Sequence, residues 1–411
     1  MTSDLQINGE RLMASLYALG GIGALPQGGV CRLALSDEDK QGRDWVVARM
    51  RALGLDITVD AIGNTVGVYP GLADAPPVMM GSHIDTVATG GLYDGNYGVL
   101  SGLEAIATLQ EAELRLRRPV AVAFFTNEEG ARFQPDMMGS LVYQGGLALE
   151  TALETRGIDG VAVGEALRRI GYDGPAPVGA NRVDSYFELH IEQGPVLDEA
   201  GLSIGVVEGV QGISWTEFRL QGVSNHAGTT PMRLRRDAGY VAARIGVFAR
   251  GLAQALGGDQ VATVGHAVFS PNLINVIPET VTLTVDLRNT DAEALRQAEQ
   301  RLWAFAEQAA DEEGITLRRQ SLARFEPTPF APEMVALIEA QARRRGLPFR
   351  RMPSGAGHDA QILAAMCPAG MIFVPSVAGL SHNVQEFTEP KDLIAGANIL
   401  LGAVVQRADR I

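Results

Sequence analysis

The sequence has 411 residues, a formal net charge of −14, 46% hydrophobic residues and 20% charged residues. This length predicts two or three domains, and the acidic balance argues against a nucleic-acid partner, because phosphate binding needs a clustered basic surface. The two cysteines, Cys31 and Cys367, exclude a disulfide scaffold and a thiolate metal site, and they favour a reducing compartment. The N-terminus has no cationic leader, and no apolar run reaches the roughly 18 residues of a membrane helix. We therefore expect a cytoplasmic protein without a membrane partner.

The first part of the chain alternates short apolar runs with helical patterns. Residues 78–83, 120–125 and 185–191 are predicted to be buried strands, and the apolar spacing over 97–114 predicts a helix. Strands separated by helices predict an α/β fold with a central, mostly parallel sheet and helices on both faces.

The pattern changes in the middle of the chain. Strands are predicted at 213–220, 261–269, 281–287 and 315–322, with helices at 237–256 and 291–313. This order is that of a small α+β open-faced sandwich. After residue 329 the first pattern resumes with a helix near 333–345 and a strand at 370–374. We expect a discontinuous catalytic domain of residues 1–211 and 330–411, with residues 212–329 inserted as a second domain.

Histidine and carboxylate side chains follow several predicted strands. They lie at or just beyond the C-terminal strand ends, where an open α/β sheet places its active site: His83, Asp94, Glu128, Glu129, His190 and His382. Asp85 follows His83 by two residues, and its carboxylate could hold the second imidazole nitrogen of a metal-bound histidine. Each residue alone has an ordinary alternative, such as a structural histidine or a surface Glu–Glu pair. Together, histidine and carboxylate ligands without thiolate suit zinc, manganese or cobalt in a hydrolytic site.

Five motifs carry a resemblance to a known family. They are GSHIDTV (81–87), NEEGARF (127–133), LHIEQG (189–194), SNHAGTTP (224–231) and SGAGHDA (354–360). The chain resembles, from about Asn8 to Ala408, the hydantoinase/carbamoylase family of amidases. That family includes N-carbamoyl-L-amino acid hydrolases, β-ureidopropionases and allantoate amidohydrolases, within the clan of dinuclear aminoacylases and carboxypeptidases.

The resemblance implies a dinuclear metal centre with a separate general base. Asp94 would bridge two divalent ions, with His83 and His190 on one ion and Glu129 and His382 on the other. Zinc is the first expectation, with manganese, cobalt and nickel as alternatives. Glu128 would take a proton from the attacking water and pass it to the leaving nitrogen.

The resemblance also implies how a ureido acid substrate is held. His226 would be an oxyanion donor, and Asn275 and Arg288 would bind the substrate carboxylate. Contacts to the substrate are further implied for Gln193, Gly357 and His358. The inserted domain would act as a lid and form a homodimer, whereas His266 matches no motif and is expected to be structural.

The expected reaction is hydrolysis of an N-carbamoyl-L-amino acid, or of N-carbamoyl-β-alanine, to the amino acid, carbon dioxide and ammonia. Allantoate amidohydrolysis and an aminoacylase or dipeptidase activity stay open as alternatives. A binding protein without activity is disfavoured, because all five ligand positions are filled.

Overall fold

The computed structural model describes residues 5–180 and 182–409. The chain divides into two compact units, the first formed by Met1–Glu208 and Phe330–Ile411 and the second by Gly209–Pro329. The chain passes from one unit to the other at residues 208–209 and again at 329–330. The strand residues beside these two points pair with each other, Thr328 with Val210 and Pro329 with Gly209. Among the described residues, no helix combines the length and hydropathy that crossing a bilayer would take.

The helices and strands follow in chain order. Up to the second unit they are α1 (Gly9–Gly20), α2 (Asp37–Ala52), β1 (Asp56–Val59), β2 (Thr65–Tyr69), β3 (Val78–His83), α3 (Asn96–Glu111), β4 (Val120–Phe125), α4 (Met138–Gln144), α5 (Leu149–Glu154), α6 (Val163–Ile170), β5 (Ser185–Ile191), α7 (Val196–Ala200) and β6 (Ile204–Val210). The second unit adds β7 (Gly212–Gln221), β8 (Asn225–His226), α8 (Ala238–Leu256), β9 (Val261–Ser270), β10 (Val276–Ile277), β11 (Thr280–Asn289), α9 (Ala292–Glu313), β12 (Thr316–Phe325) and β13 (Thr328–Pro329). The chain closes with α10 (Pro332–Arg344), β14 (Phe349–Ser354), α11 (Asp359–Leu363), β15 (Ala369–Val374) and α12 (Pro390–Ala408).

The first unit is built on one large sheet. Its strand order is β1-β2-β4-β3-β5-β15-β6, with β14 also beside β6. The four central strands, β4, β3, β5 and β15, are parallel, and the outer pairings β1–β2, β2–β4 and β15–β6 are antiparallel. The prediction of a central, mostly parallel sheet flanked by helices is confirmed.

Helices cover the central strands so completely that every residue of β3, β4, β5 and β15 is buried. Helices α3 and α12 pack against these strands, as do α4 and α11. Such burial explains why the strands are continuous apolar runs in the sequence. Helix α3 ends earlier than predicted, since Glu113 adopts a φ of 53° and Leu114 N–H turns back to the carbonyl of Leu109.

The second unit is an open-faced sandwich, as predicted. Its sheet has the order β12-β7-β11-β9, all antiparallel, and α8 and α9 pack against it. Burial alternates residue by residue along β11, so one face of the sheet forms the core with the helices. Asp291 caps α9 by accepting a hydrogen bond from Ala294 N–H.

Candidate metal centre

The predicted ligands converge at the carboxyl ends of the four parallel strands. His83 is the last residue of β3 and lies beside Phe125, the last residue of β4, so the two acids that follow β4 start next to it. His190 on β5 lies beside Phe373 on β15, and the loop after β15 leads to His382. Because parallel strands share one carboxyl edge, residues far apart in sequence meet there.

The carboxylate of Asp94 is shared between two groups of side chains. Its Oδ1 lies 3.6 Å from Nε2 of His83 and 3.2 Å from Nε2 of His190. Its Oδ2 lies 3.3 Å from Nε2 of His382, which is also 3.2 Å from Oε2 of Glu129. Two clusters able to hold a metal ion therefore meet at one bridging carboxylate.

The first cluster consists of His83, Asp94 and His190, and the second of Asp94, Glu129 and His382. The donor atoms of the first cluster suit a divalent cation. Nδ1 of His83 lies 2.9 Å from the carbonyl of Asp85, and Nδ1 of His190 lies 2.9 Å from the carbonyl of Ile191. A carbonyl only accepts hydrogen bonds, so Nδ1 of each ring carries a proton, and Nε2 is the nitrogen that could bind a cation after losing its own proton. The main-chain nitrogen of Gly95 lies 3.2 Å from Nε2 of His190, on the same side as Asp94.

Two further observations support the fit. Oε1 of Glu129 is buried without a hydrogen-bond partner among the described residues, which is costly unless a cation takes that place. Gly95 has a φ of 66°, and a Cβ there would lie 2.4 Å from Nε2 of His83. The turn therefore keeps the space beside this nitrogen open.

The role predicted for the Asp85 carboxylate is wrong in one respect. The main-chain carbonyl of Asp85, and not its carboxylate, orients His83. The carboxylate instead accepts hydrogen bonds from the N–H groups of Glu128 and Glu129, at 3.2 and 3.3 Å. Asp85 thus fixes both the histidine and the acidic pair, and burial raises the pKa of its own carboxyl to about 6.

The surroundings shift the pKa values of the acids in opposite directions. Burial raises the pKa of Glu128 well above its ordinary value, with His83 opposing and the charge of Asp359 adding to the rise. Burial would also raise the pKa of Asp94, but hydrogen bonds from His190, His382 and His83 hold it well below its ordinary value. One carboxyl is therefore suited to carry a proton and the other to stay ionised.

Comparison with known proteins assigns the chain to a family. Residues 79–406 match the peptidase family M20/M25/M40. The chain belongs to this family. It is 41% identical over 407 residues to an N-carbamoyl-L-amino acid amidohydrolase of Geobacillus stearothermophilus, covering 98% of this chain and 99% of the relative. It is 40% identical over 405 residues to an N-carbamoyl-L-amino-acid amidohydrolase of Rhizobium meliloti, covering 98% and 97%.

A solved structure extends the match to the fold. A hydantoinase/carbamoylase family amidase from Burkholderia multivorans superposes with a TM-score of 0.96 at 43% identity, covering 99% of each chain. The resemblance predicted from the five motifs is confirmed, and this member of the M20/M25/M40 family is a hydrolase. The family is metal-dependent, which agrees with the groups of histidine and carboxylate donors found here.

Two of the predicted substrate-binding residues in the first unit contact predicted metal ligands. Gln193, at a φ of 58°, donates from Nε2 to Oδ2 of Asp94 at 3.1 Å. His358 is buried, its Nε2 lies 2.9 Å from Oγ of Ser354, and its ring packs edge-on against His190 with 4.6 Å between centroids. Burial lowers the pKa of His358 well below its ordinary value. Its observed contacts are those of a residue that supports His190.

Gly357 lies in the loop before His358. A Cβ at Gly357 would come within 3.0 Å of the Met137 side chain, so the loop passes close to the segment that follows the acidic pair. The structure shows this packing and leaves a substrate contact as a prediction.

His226 and Asn275 lie together in the second unit. Strands β8 and β10 pair, and the N–H of Ala227 donates to the carbonyl of Asn275 at 2.9 Å. Nδ1 of His226 accepts from the N–H groups of Gly228 and Thr229, at 3.0 and 3.2 Å. In a neutral ring the proton is then on Nε2, and this exposed nitrogen can donate a hydrogen bond.

Arg288 lies apart from this pair. It is on β11, where its guanidinium bonds Asp286, with Nη2 to Oδ2 at 2.9 Å. Thr280, at the other end of β11, is nearer to the His226 and Asn275 strands, and eight residues of strand span about 26 Å. The structure therefore does not bring Arg288 and His226 together within one chain. His266 lies exposed on the neighbouring strand β9, opposite Thr284.

Sequence reasoning missed Glu386, which supports the bridging carboxylate. Its Oε1 accepts from the N–H groups of Tyr93 and Asp94, at 3.0 and 3.3 Å, and its Oε2 accepts from Oγ of Ser381 at 3.3 Å. Burial raises the pKa of Glu386 to about 8. The only signal in the sequence was an acid four residues after His382, and nothing local linked that acid to Asp94.

Proposed function

We propose that this chain is a metal-dependent amidohydrolase that cleaves the carbamoyl C–N bond of N-carbamoyl-L-amino acids, releasing the amino acid, carbon dioxide and ammonia. The observation that carries the proposal is the pair of histidine–carboxylate clusters that share Asp94, with Glu128 beside them. Full-length similarity to proteins named for this activity supports it. N-carbamoyl-β-alanine is the other substrate of the same chemical class.

We infer that two divalent ions are bound, with zinc as the first expectation and manganese, cobalt or nickel as alternatives. His83 and His190 would hold one ion and Glu129 and His382 the other, with Asp94 between them. When bound, the ions would polarise the ureido carbonyl and lower the pKa of the attacking water towards about 7.

Glu128 is the side chain placed to move the proton. Its side chain is 9% exposed, and its Oε2 lies 3.5 Å from Nε2 of His83. A carboxylate whose pKa is raised by burial can accept a proton from water and return it to the leaving nitrogen. The water's oxygen forms the new bond to carbon, and the C–N bond breaks as the nitrogen takes up that proton.

We propose that residues 212–329 act as a lid and that two copies of the chain share each active site. A ureido acid is far shorter than the roughly 26 Å that separates the two ends of β11. One lid therefore cannot place both Arg288 and His226 on the same substrate. A homodimer in which one copy supplies the arginine and its partner supplies His226 and Asn275 would resolve this.

Mixing inactive variants tests the shared site. His226→Ala and Arg288→Ala chains should each be nearly inactive alone. If the two residues act from different copies, mixed dimers should regain activity in one of their two sites. Failure to complement, with mixed dimers verified by differential tagging and native mass spectrometry, would show that both residues serve the site of their own chain.

A substrate panel tests the reaction. The chain, loaded in turn with zinc, manganese, cobalt or nickel, should hydrolyse N-carbamoyl-L-amino acids faster than allantoate, N-acetyl amino acids or dipeptides. Chelation should abolish activity, and metal analysis should approach two equivalents. Faster turnover of allantoate would identify the chain as an allantoate amidohydrolase instead. Full activity without metal would refute the proposal.

A cytoplasmic location without nucleic-acid or membrane partners stays a prediction. Its support is the net charge of −14 together with the free state of Cys31 and Cys367, which suits a reducing compartment. Cell fractionation with an antibody against the chain would test the location directly.

A further inference from the structure

Arg32 is a fully buried cation behind the histidine half of the site. Its side chain is 0% exposed, and its hydrogen bonds go to uncharged oxygens. Nε donates to the carbonyl of Ile84 at 2.7 Å, Nη1 to those of Leu19 and Ile22 at 3.0 and 2.7 Å, and Nη2 to Oδ1 of Asn96 at 2.8 Å. Burying a guanidinium on neutral acceptors carries a desolvation cost that an apolar side chain would avoid. Two of these bonds lead towards predicted metal ligands, one through Ile84 towards His83 and one through Asn96 towards Asp94.

One side of the guanidinium fixes the end of β3. Ile84 lies between His83, a predicted ligand, and Asp85, whose carbonyl orients the His83 ring. The main chain of Arg32 adds two bonds to the same segment, because its N–H donates to Oγ1 of Thr86 at 2.8 Å and its carbonyl accepts from Thr86 N–H at 2.9 Å. The segment that holds His83 is therefore tied to Arg32 at two positions.

The other side fixes the turn that carries the bridging carboxylate. The carboxamide of Asn96 accepts from Arg32 and donates to the carbonyl of Leu92 at 3.2 Å. The N–H of Asn96 donates to the carbonyl of Asp94 at 2.7 Å. Through Asn96, Arg32 is thus linked to the main-chain carbonyls of Leu92 and Asp94, which lie in the turn that carries the Asp94 carboxylate.

We propose that Arg32 is a positioning residue that sets the spacing between His83 and Asp94, and thereby the metal affinity of the cluster these residues form with His190. The inference rests on the proposed function, because it assigns this cluster to a metal ion. A planar guanidinium suits the role, since its donors diverge in fixed directions that a lysine ammonium cannot reproduce.

The alternative is that Arg32 only stabilises the fold, through its bonds to the end of α1. Arg43 provides the matched control. It is also 0% exposed, pairs with Asp39 at 2.8 Å, and donates to the carbonyl of Gly63 at 2.8 Å and to Oγ1 of Thr126 at 3.2 Å. Lysine at either position keeps the positive charge but lacks the planar set of guanidinium donors. Both substitutions should therefore lower the free energy of unfolding.

The test compares Arg32→Lys and Arg43→Lys in the full chain. Metal is removed by chelation, and Co²⁺ is returned stepwise while its visible absorption and the heat of binding are followed. In Arg32→Lys the ion of the His83 cluster should bind about 10–100-fold more weakly, the usual effect of changing a residue that supports a metal ligand. In Arg43→Lys both ions should bind as in the wild type, although the unfolding temperature falls.

Wild-type affinity in Arg32→Lys, or an equal loss in both variants, would overturn the inference. If Arg32→Lys does not fold, Asn96→Ala breaks the link to Asp94 with Arg32 in place. That variant should show the same selective loss, and wild-type Co²⁺ affinity there would also overturn the inference. Failure of the proposed function would look different, because the wild type itself would then bind fewer than two ions or reject the substrate panel.

Discussion

Substituting Gly95 with alanine tests the turn that keeps metal access to His83 open. Gly95 precedes α3 with φ 66° and ψ −49°, a conformation that side chains with a Cβ rarely adopt. The added methyl would lie 2.4 Å from Nε2 of His83 and 2.5 Å from both Cδ2 and Cε1. The methyl would therefore occupy the space in which a metal would meet that nitrogen.

Gly95→Ala should have two unfavourable effects, namely strain in the backbone and a steric clash with the His83 ring. The unfavourable backbone conformation costs about 1–3 kcal/mol. The contact must also lengthen from 2.4 Å to an ordinary 3.4 Å, so the His83 ring must retreat by about 1 Å. Metal–ligand distances tolerate only about 0.2 Å. The ring is buried and tied to the Asp85 carbonyl, so the shift cannot be relieved by simple rotation.

Gly54→Ala separates the two contributions. Gly54 also has a positive φ, 64°, but a Cβ there meets nothing within 4 Å. Zinc binding by calorimetry and thermal unfolding would be measured for both variants. Gly54→Ala should lose some stability and keep two zinc equivalents. Gly95→Ala should lose the ion of the His83 cluster, with affinity falling by at least the roughly 10–100-fold seen for changes around a metal ligand. Two equivalents at wild-type affinity in Gly95→Ala would refute the assignment of His83.

Further predictions concern the acidic pair and the lid. Glu128→Gln should keep both metal equivalents and lose about 10²–10⁴-fold in kcat, whereas Glu129→Gln should lose one equivalent; the opposite result would exchange the two roles. Arg288→Lys should leave metal content unchanged and lower kcat/KM for N-carbamoyl amino acids by about 10–100-fold, the equivalent of roughly 1.5–3 kcal/mol for a charge-assisted hydrogen bond. An analogue with its carboxylate converted to an amide should lose little more in that variant. Wild-type kinetics would mean that Arg288 serves only its ion pair with Asp286.

The sequence predicted the fold well for strands that are buried on both faces of a sheet or on one face only. Strands β4 and β5 match the predicted ranges residue for residue, because strands buried on both faces are continuous apolar runs in the sequence. The alternation along β11 likewise marks a sheet with one covered face. His83 and His190 lie at the ends of parallel strands and Glu129 follows β4 closely, so recognising the parallel strands was sufficient to expect these three at one edge of the sheet.

The supporting contacts were not predictable from local spacing. The sequence places Asp85 two residues after His83, but only the path of the main chain decides that the carbonyl, and not the carboxylate, faces the ring. Glu386 meets Tyr93 across 293 residues, and no sequence pattern encodes that approach. The distance between Arg288 and His226 depends on strand register, which a list of motifs does not contain.

The two halves of the site differ in how much the protein itself fixes them. The rings of His83 and His190 are buried, and main-chain carbonyls beside their Nδ1 atoms orient both Nε2 atoms towards Asp94. His382 is 50% exposed and meets Asp94 and Glu129 through the same nitrogen that would bind a metal. Hydrogen bonds to those two acids raise the pKa of His382 to about 10. Burial opposes the same effect at His83 and His190, but neighbouring acids still raise the pKa of both rings, so metal binding must displace protons in both clusters. The imidazole rings of the first cluster are therefore held in place by the main chain, whereas the exposed ring of His382 in the second cluster is held through its contacts with Asp94 and Glu129.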